Sequence, residues 1–149
     1  MADVRLRTAR PEDYPALVAV VDDWWGRPVQ GILPRLFLDH FHATSVVAER
    51  DAGLAGFLVG FPSPSLADAA YIHFVGVHPD LRGGGLARRL YTWFFDLARD
   101  DGRSVVRAIT SPQNHGSIAF HTAMGFTVTG PVPDYDGPGT DRVVFQRPL

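Results

Sequence analysis

The chain has 149 residues and a mass of 16.3 kDa, 46% of it apolar, with 14 basic side chains against 16 acidic ones for a net charge of −2. That is one domain's length with enough apolar side chain to build a core, and its weak acidity gives no electrostatic footing for nucleic acid or another polyanion. All the cations are Arg and Cys is absent: the missing Lys excludes a Walker phosphate loop and Schiff-base chemistry, and the missing Cys excludes disulfides, thiolate nucleophiles and Cys-ligated zinc.

The opening residues MADVRLRTARPEDY hold no apolar core of signal-peptide length, and no apolar run approaches the roughly 18 residues of a membrane span. A cytoplasmic protein with no membrane partner is expected. Residues 4–10 alternate as an edge strand does, and Pro11 opens an acidic first turn of a helix. Leu17, Val21, Trp24 and Trp25 form its apolar stripe, which ends at Gly26. A shorter helix is predicted over 33–41. Strands over 45–49 and 54–61 flank Arg50-Asp51-Ala52-Gly53, a hairpin turn, and the loop PSPS leads into the most strand-like run, 70–77. The strongest helix covers 86–98, with Leu86, Leu90, Trp93, Phe94 and Leu97 on one stripe and Gly102 beyond its end. A strand at 104–110, a helix at 114–124, and strands at 126–129 and 142–145 complete the chain, the last two joined by the loop PVPDYDGPG. The order β α α β β β α β α β β is an α/β fold. The crossover from 70 to 110 requires a parallel pair and the hairpins require antiparallel ones, so the sheet is mixed.

The chemically informative stretch is Val77-His78-Pro79-Asp80-Leu81-Arg82-Gly83-Gly84-Gly85-Leu86-Ala87-Arg88-Arg89, a strand passing through a glycine turn into the best helix. Successive glycines admit positive φ and let another molecule approach the backbone, while a helix start offers unpaired N–H groups and a partial positive charge. Such a turn is either an anion site suited to phosphate or pyrophosphate or a plain flexible connection. A dinucleotide fingerprint G-x-G-x-x-G is out of register, because Arg88 stands where its third glycine belongs.

Arg82-Gly83-Gly84-Gly85-Leu86-Ala87 instead resembles motif A, [QR]-x-x-G-x-[GA], of the GNAT superfamily of N-acetyltransferases. Val77-His78-Pro79 is similar to that family's V-x-P at the end of the fourth strand. Asn114-His115-Gly116-Ser117-Ile118-Ala119-Phe120-His121-Thr122-Ala123-Met124-Gly125-Phe126 is similar to its N-x-x-[AS]-x-x-[FL]-Y-x-x-x-G-F. The resemblance is specific over residues 70–126. It implies a mixed, mostly antiparallel central sheet with helices on both faces, and one N-acetyltransferase domain over 1–149. The implied reaction moves the acetyl group of acetyl-CoA to a primary amine, with coenzyme A as product; the alternative is a non-catalytic acyl-CoA binding module. The acceptor is a small-molecule amine or a peptide amine, and homodimers are frequent in the superfamily.

Residue by residue, the resemblance puts the pyrophosphate on the amides of Gly83, Gly84, Gly85, Leu86, Ala87 and Arg88, with Arg82 beside them. The pantetheine arm would pair with backbone at Val75, Gly76 and Val77 as an added strand does, where Gly76 tolerates a break in the sheet. Asn114, Ser117 and His121 share one face of the second motif's helix, beside an apolar face of Phe120, Ala123 and Met124. Asn114 serves as an N-cap, a cofactor contact or both.

His121 stands where the family has Tyr, the donor to the departing thiolate, and is a candidate general acid or a packing residue. His73, on the face of Tyr71, Val75 and Val77, is the first candidate for the base that deprotonates the amine, against a buried core His; Glu49 is the runner-up. Trp24, Trp25, Arg35 and Tyr135 are the candidate acceptor-pocket residues. Direct attack in a ternary complex is expected, because Cys is absent and no Ser stands in G-x-S-x-G. No metal site is expected, since His40 and His42 lie about 200° apart on a helix and His115 and His121 also diverge. Asp22-Asp23 and Asp100-Asp101 read as solvated helix ends.

Overall fold

The predicted elements appear in the predicted order in the computed structural model, which describes residues 3–51 and 53–149. They are β1 (Arg5–Thr8), α1 (Tyr14–Trp25), α2 (Leu36–Phe41), β2 (Val46–Arg50), β3 (Gly53–Pro62), β4 (Ala69–Val77), α3 (Leu86–Asp100), β5 (Val105–Thr110), α4 (His115–Ala123), β6 (Thr127–Val132) and β7 (Arg142–Pro148). The strands form a seven-stranded sheet in the order β1-β2-β3-β4-β5-β7-β6. β1–β2, β2–β3, β5–β7 and β6–β7 are antiparallel, and β4–β5 is the parallel pair that the crossover requires. The expected mixed, mostly antiparallel sheet with helices is what the chain forms. Of the predicted turn at 50–53, Ala52 lies outside the described residues, and Arg50 pairs with Gly53 across it.

The described residues group into two compact units. The first takes the chain up to Phe61 together with Ile72–Leu97. Its core joins Leu17, Val21 and Trp24 of α1 to Val29 and Leu33 of the link that follows, Leu38 of α2, and Val47, Phe57, Val59 and Phe74 of the strands. The second predicted helix starts later than expected: Leu33 is buried with non-helical backbone (φ −120°, ψ 69°), and α2 begins at Leu36. Pro34 is the reason, since its ring disfavours helical backbone at the residue before it. Asp22 is also more than a solvated helix end, because its Oδ1 accepts from the N–H groups of Val29 (2.8 Å) and Gln30 (3.0 Å) and so shapes the link from α1 to α2.

α3 buries Leu86, Leu90, Phe94 and Ala98 along its i, i+4 ridge, with Tyr91 and Phe95 beside them. Trp93 and Leu97, predicted on the stripe, are half-buried at its flank. The helix can lie this close because β3 has Gly56: a Cβ there would meet Gly76 O at 2.9 Å and Leu86 Cδ2 at 3.3 Å.

The second unit comprises Pro62–Tyr71 and Ala98–Leu149. Val106 and Ala108 of β5 and Val143 and Phe145 of β7 are buried with His121, Met124 and Phe126. Arg103 organises the serine-rich loop ahead of β4, its Nη1 donating to Ser63 O (2.8 Å) and Ala67 O (3.0 Å).

Candidate active site

Side chains on β4 alternate as a pleated strand requires. Ile72, Phe74 and Gly76 are buried, while Tyr71, His73, Val75 and Val77 are half-buried on the other face. Pairing with β5 covers Ala69, Ala70 and Tyr71, and residues 72–77 continue past that paired segment. Packing demands glycine at 76, since a Cβ on it would sit 2.6 Å from Phe57 Cε1.

Beyond β4 the chain makes a single 3-10 turn, Pro79–Leu81, in which His78 Nδ1 accepts from the N–H of Asp80 at 3.1 Å. Gly83 (φ +82°) and Gly85 (φ +84°) then adopt left-handed backbone, which glycine enters without strain. Nothing lies within 4 Å of a Cβ built on either, so open space adjoins the turn. α3 follows at Leu86 with no acidic residue in its first turn, and an α-helix leaves its first N–H groups without partners inside the helix. Gly85, Arg88, Arg89, Thr92, Trp93 and Leu6 line a shallow groove of about 460 Å³ beside it. Arg82 turns back into the protein: its Nη2 donates to Trp24 O and ties the end of α1 to the glycine turn.

His73 points from β4 toward the α1–α2 link. Its Nε2–H donates to Ile32 O at 2.6 Å, which leaves the lone pair on Nδ1, and its ring stacks on Phe37 with centroids 3.8 Å apart and planes within 7°. Burial lowers its pKa, against a smaller opposing effect of the bond to Ile32. Glu49, the alternative base, is committed elsewhere. Its Oε1 lies 2.8 Å from Arg7 Nε, and Arg7 also holds Asp13 at 2.7 Å. The guanidinium keeps both carboxyls below the usual carboxylate range, so neither holds a proton near neutral pH.

In the second unit Asn114 is the N-cap of α4, its Oδ1 accepting from the N–H of Ser117 at 3.2 Å while its Nδ2 donates to Thr110 Oγ1 at 3.2 Å. His121 is buried and Ala123 exposed, contrary to expectation, while Met124 is buried and Phe120 half-buried as the apolar face requires. The His121 ring stacks on Phe145 (4.0 Å, 5°), with Phe126 edge-on at 5.0 Å. Its Nδ1 lies 2.8 Å from Ser117 O, which can only accept, so the neutral ring carries its proton there. Burial lowers this pKa as well.

The acceptor-pocket candidates divide. Trp24 is buried in the first unit's core, 5.5 Å from the ring of His78. Trp25 is half-buried against Phe74 of β4 at 4.5 Å. Arg35 pairs with Asp39 at 3.3 Å and lies 5.9 Å above the Tyr14 ring. Tyr135 is exposed in the β6–β7 loop of the second unit. Sequence reasoning missed the Arg82–Trp24 and His73–Ile32 bonds, which span 58 and 41 residues and have no local signature. Among the described residues no three His, Cys, Asp or Glu could share a metal ion, and no helix is long and apolar enough to cross a membrane.

Comparison with known proteins gives this geometry a context. An L-amino acid N-acyltransferase of Escherichia coli (strain K12) is 44% identical over 61 residues, 41% of this chain and 36% of that protein. An L-2,4-diaminobutyric acid acetyltransferase of Nocardia farcinica is 33% identical over 89 residues, 60% of this chain and 46% of that protein. The matched stretches therefore span less than half the length of either relative. The fold is shared with a Salmonella typhimurium protein solved with its cofactor acetyl-CoA: the TM-score is 0.74 at 24% identity, covering 98% of this chain and 94% of that one. The acetyltransferase (GNAT) family profile matches residues 6–126, which takes in α1, the glycine turn and the Asn114 helix. The chain belongs to the GNAT acetyltransferase family.

Proposed function

We propose that residues 1–149 work as one acetyl-CoA-dependent N-acetyltransferase domain that acetylates the primary amine of a small amino-acid-like molecule in the cytoplasm. The observation that carries this reading is the turn at Gly83 and Gly85. It has left-handed backbone, open space beside it, and a helix start free of acidic side chains directly behind it. These features fit a diphosphate, which needs close backbone approach and N–H donors. Family membership supports coenzyme A as that diphosphate. The amides of Gly83, Gly84, Gly85, Leu86, Ala87 and Arg88 would hold it, and backbone at Val75, Gly76 and Val77 would take the pantetheine arm, with Asn114 and Ser117 as further contacts. Bound acetyl-CoA supplies a thioester carbonyl open to attack by an amine.

The chain's own groups then position and move protons. N–H groups of β4 beyond its paired segment are suited to polarise a carbonyl beside Val75. His73 is the proposed base, acting through Nδ1, and its lowered pKa keeps it neutral and able to accept at pH 7. His121 is the proposed acid, from its place in the motif. With Nδ1–H engaged by Ser117 O, donation from Nε2 requires the imidazolium. Trp25, Arg35 and Tyr135 are proposed to contact the acceptor and Trp24 to support them, and homodimerisation is read by sedimentation. The relatives carry enzyme names and amino-acid substrates, which favours turnover over a non-catalytic binding module and a small amine over a peptide.

Thermal shift and thiol release test the reading. Coenzyme A at about 100 times its Kd should raise Tm by about 5–10 °C while NAD and ATP leave it unmoved, and acetyl-CoA should release thiol only when an amine is added. No shift with coenzyme A overturns the proposal.

A further inference from the structure

The backbone carbonyl that holds His73 belongs to a very short element. Gln30–Ile32 is a single 3-10 turn, whose own bonds run from Ile32 N–H to Val29 O (2.9 Å) and from Leu33 N–H to Gln30 O (3.0 Å). One turn of this kind has too few bonds to keep its shape in water unaided. Two side chains of α1 fasten it. At its start Asp22 Oδ1 accepts from the N–H groups of Val29 (2.8 Å) and Gln30 (3.0 Å), and at its end Tyr14 OH donates to Leu33 O (2.9 Å). Ile32 O lies between these fastenings in the chain and takes the Nε2–H of His73 at 2.6 Å. A carbonyl only accepts, so the neutral ring must carry its proton on Nε2. Phe37 stacks on the imidazole at 3.8 Å. Nothing among the described residues partners Nδ1, and no buried side-chain nitrogen or oxygen among them lacks a hydrogen-bond partner, so Nδ1 is open to solvent.

From this chain of contacts we infer that Asp22 and Tyr14 are positioning residues for His73: by fixing the turn that carries Ile32 O, they hold the imidazole with Nε2–H engaged and present Nδ1 to the proton of the attacking amine. The inference deepens the proposed function and rests on His73 as its base. In that step an N–H bond of the substrate ammonium breaks and an Nδ1–H bond forms. The electron pair stays on the amine nitrogen, which then attacks the thioester carbonyl, and the imidazolium keeps its bond to Ile32 O. Without the two fastenings the carbonyl is no longer fixed, and the ring is free to turn or to carry its proton on Nδ1, where it cannot accept.

Nitrogen-15 NMR of the full chain at about pH 8, where the ring is neutral, reads which nitrogen of His73 carries the proton. Kinetics on the best acceptor of an amino-acid panel, with calorimetry for coenzyme A, read the consequence. The unsubstituted chain should show Nε2–H alone. Tyr14→Phe, which keeps the ring and removes only the hydroxyl, and Asp22→Ala should each give a mixture of tautomers and lower kcat about tenfold, with amine KM and coenzyme A affinity within about threefold. Asp22→Asn, whose amide oxygen accepts from the same two N–H groups, should keep kcat within about threefold. In a His73→Ala background Tyr14→Phe and Asp22→Ala should each change kcat less than about twofold, since what they position is gone; a general loss of structure would not be spared there. A proton on Nδ1 in the unsubstituted chain, an unchanged tautomer and kcat in both variants, or the full tenfold loss in the His73→Ala background overturns the inference and leaves the cofactor site standing. A His73→Ala chain as active as the unsubstituted one removes the base assignment, and the inference with it. Failure to bind coenzyme A, or to acetylate any member of the panel, removes the functional reading itself.

Discussion

Imidazoles 73 and 121 are both held by backbone carbonyls, His73 through Nε2 and His121 through Nδ1, and burial disfavours their charged forms. The consequences for catalysis are opposite in sign. A base of lowered pKa is ready at neutral pH, so His73→Ala should lower kcat/KM for amine by about 10²-fold and remove the acid limb of the pH–rate profile. A cationic acid of lowered pKa works best at low pH, so kcat should fall as pH rises through a value below 6.5 if His121 donates. His121→Phe keeps the stack on Phe145 and removes the proton; an acid role predicts a kcat loss of about 10² or more, and a loss below tenfold with a flat profile leaves His121 a packing residue. Gly76 belongs to this scale too. Gly76→Ala sets a methyl 2.6 Å from Phe57 and should cost about 1–3 kcal/mol in chemical denaturation, whatever the cofactor does.

At the scale of elements, the β4–turn–α3 unit is where fold and ligand coincide. Replacing Gly85 by Val puts a β-branched residue at φ +84°, which is strained by about 1–2 kcal/mol or more, so the turn should open and coenzyme A affinity drop at least tenfold by calorimetry. The same unit was legible in sequence, because three glycines between a period-2 run and a 3.6-period run have few structural alternatives. Order and type of the α-helices and strands were readable from their own apolar periods. The start of α2 was not, since Pro34 acts on the residue before it and the apolar pattern runs through. The buried stripe of α3 was misjudged at Trp93 and Leu97 because sequence spacing alone does not say which of two adjacent ridges meets the sheet. On α4 His121 is buried for a related reason: it is polar by composition, yet a carbonyl one turn away and the Phe145 ring make burial acceptable.

Over the whole molecule, two sets of groups should make stability fall as pH drops, and their effects add. Asp13 and Glu49 have lowered pKa values through Arg7, so their contribution is present above the ordinary carboxylate range and is lost as pH falls through their folded values. His73 and His121 also titrate lower when folded; the unfolded chain binds protons first, and stability falls as pH drops below about 6.5. Arg7→Leu should remove about 1–2 kcal/mol at pH 7 and flatten the acid branch below pH 4 while leaving the branch near pH 6. The account depends most on the amides after Arg82 holding a diphosphate. Amide NMR during titration with adenosine 3′,5′-bisphosphate and with coenzyme A tests that directly. Saturable shifts at Gly83, Gly84, Gly85, Leu86, Ala87 and Arg88 with coenzyme A, and much weaker ones with the ligand that lacks the diphosphate bridge, are predicted. Saturable binding that leaves those amides unmoved would contradict it.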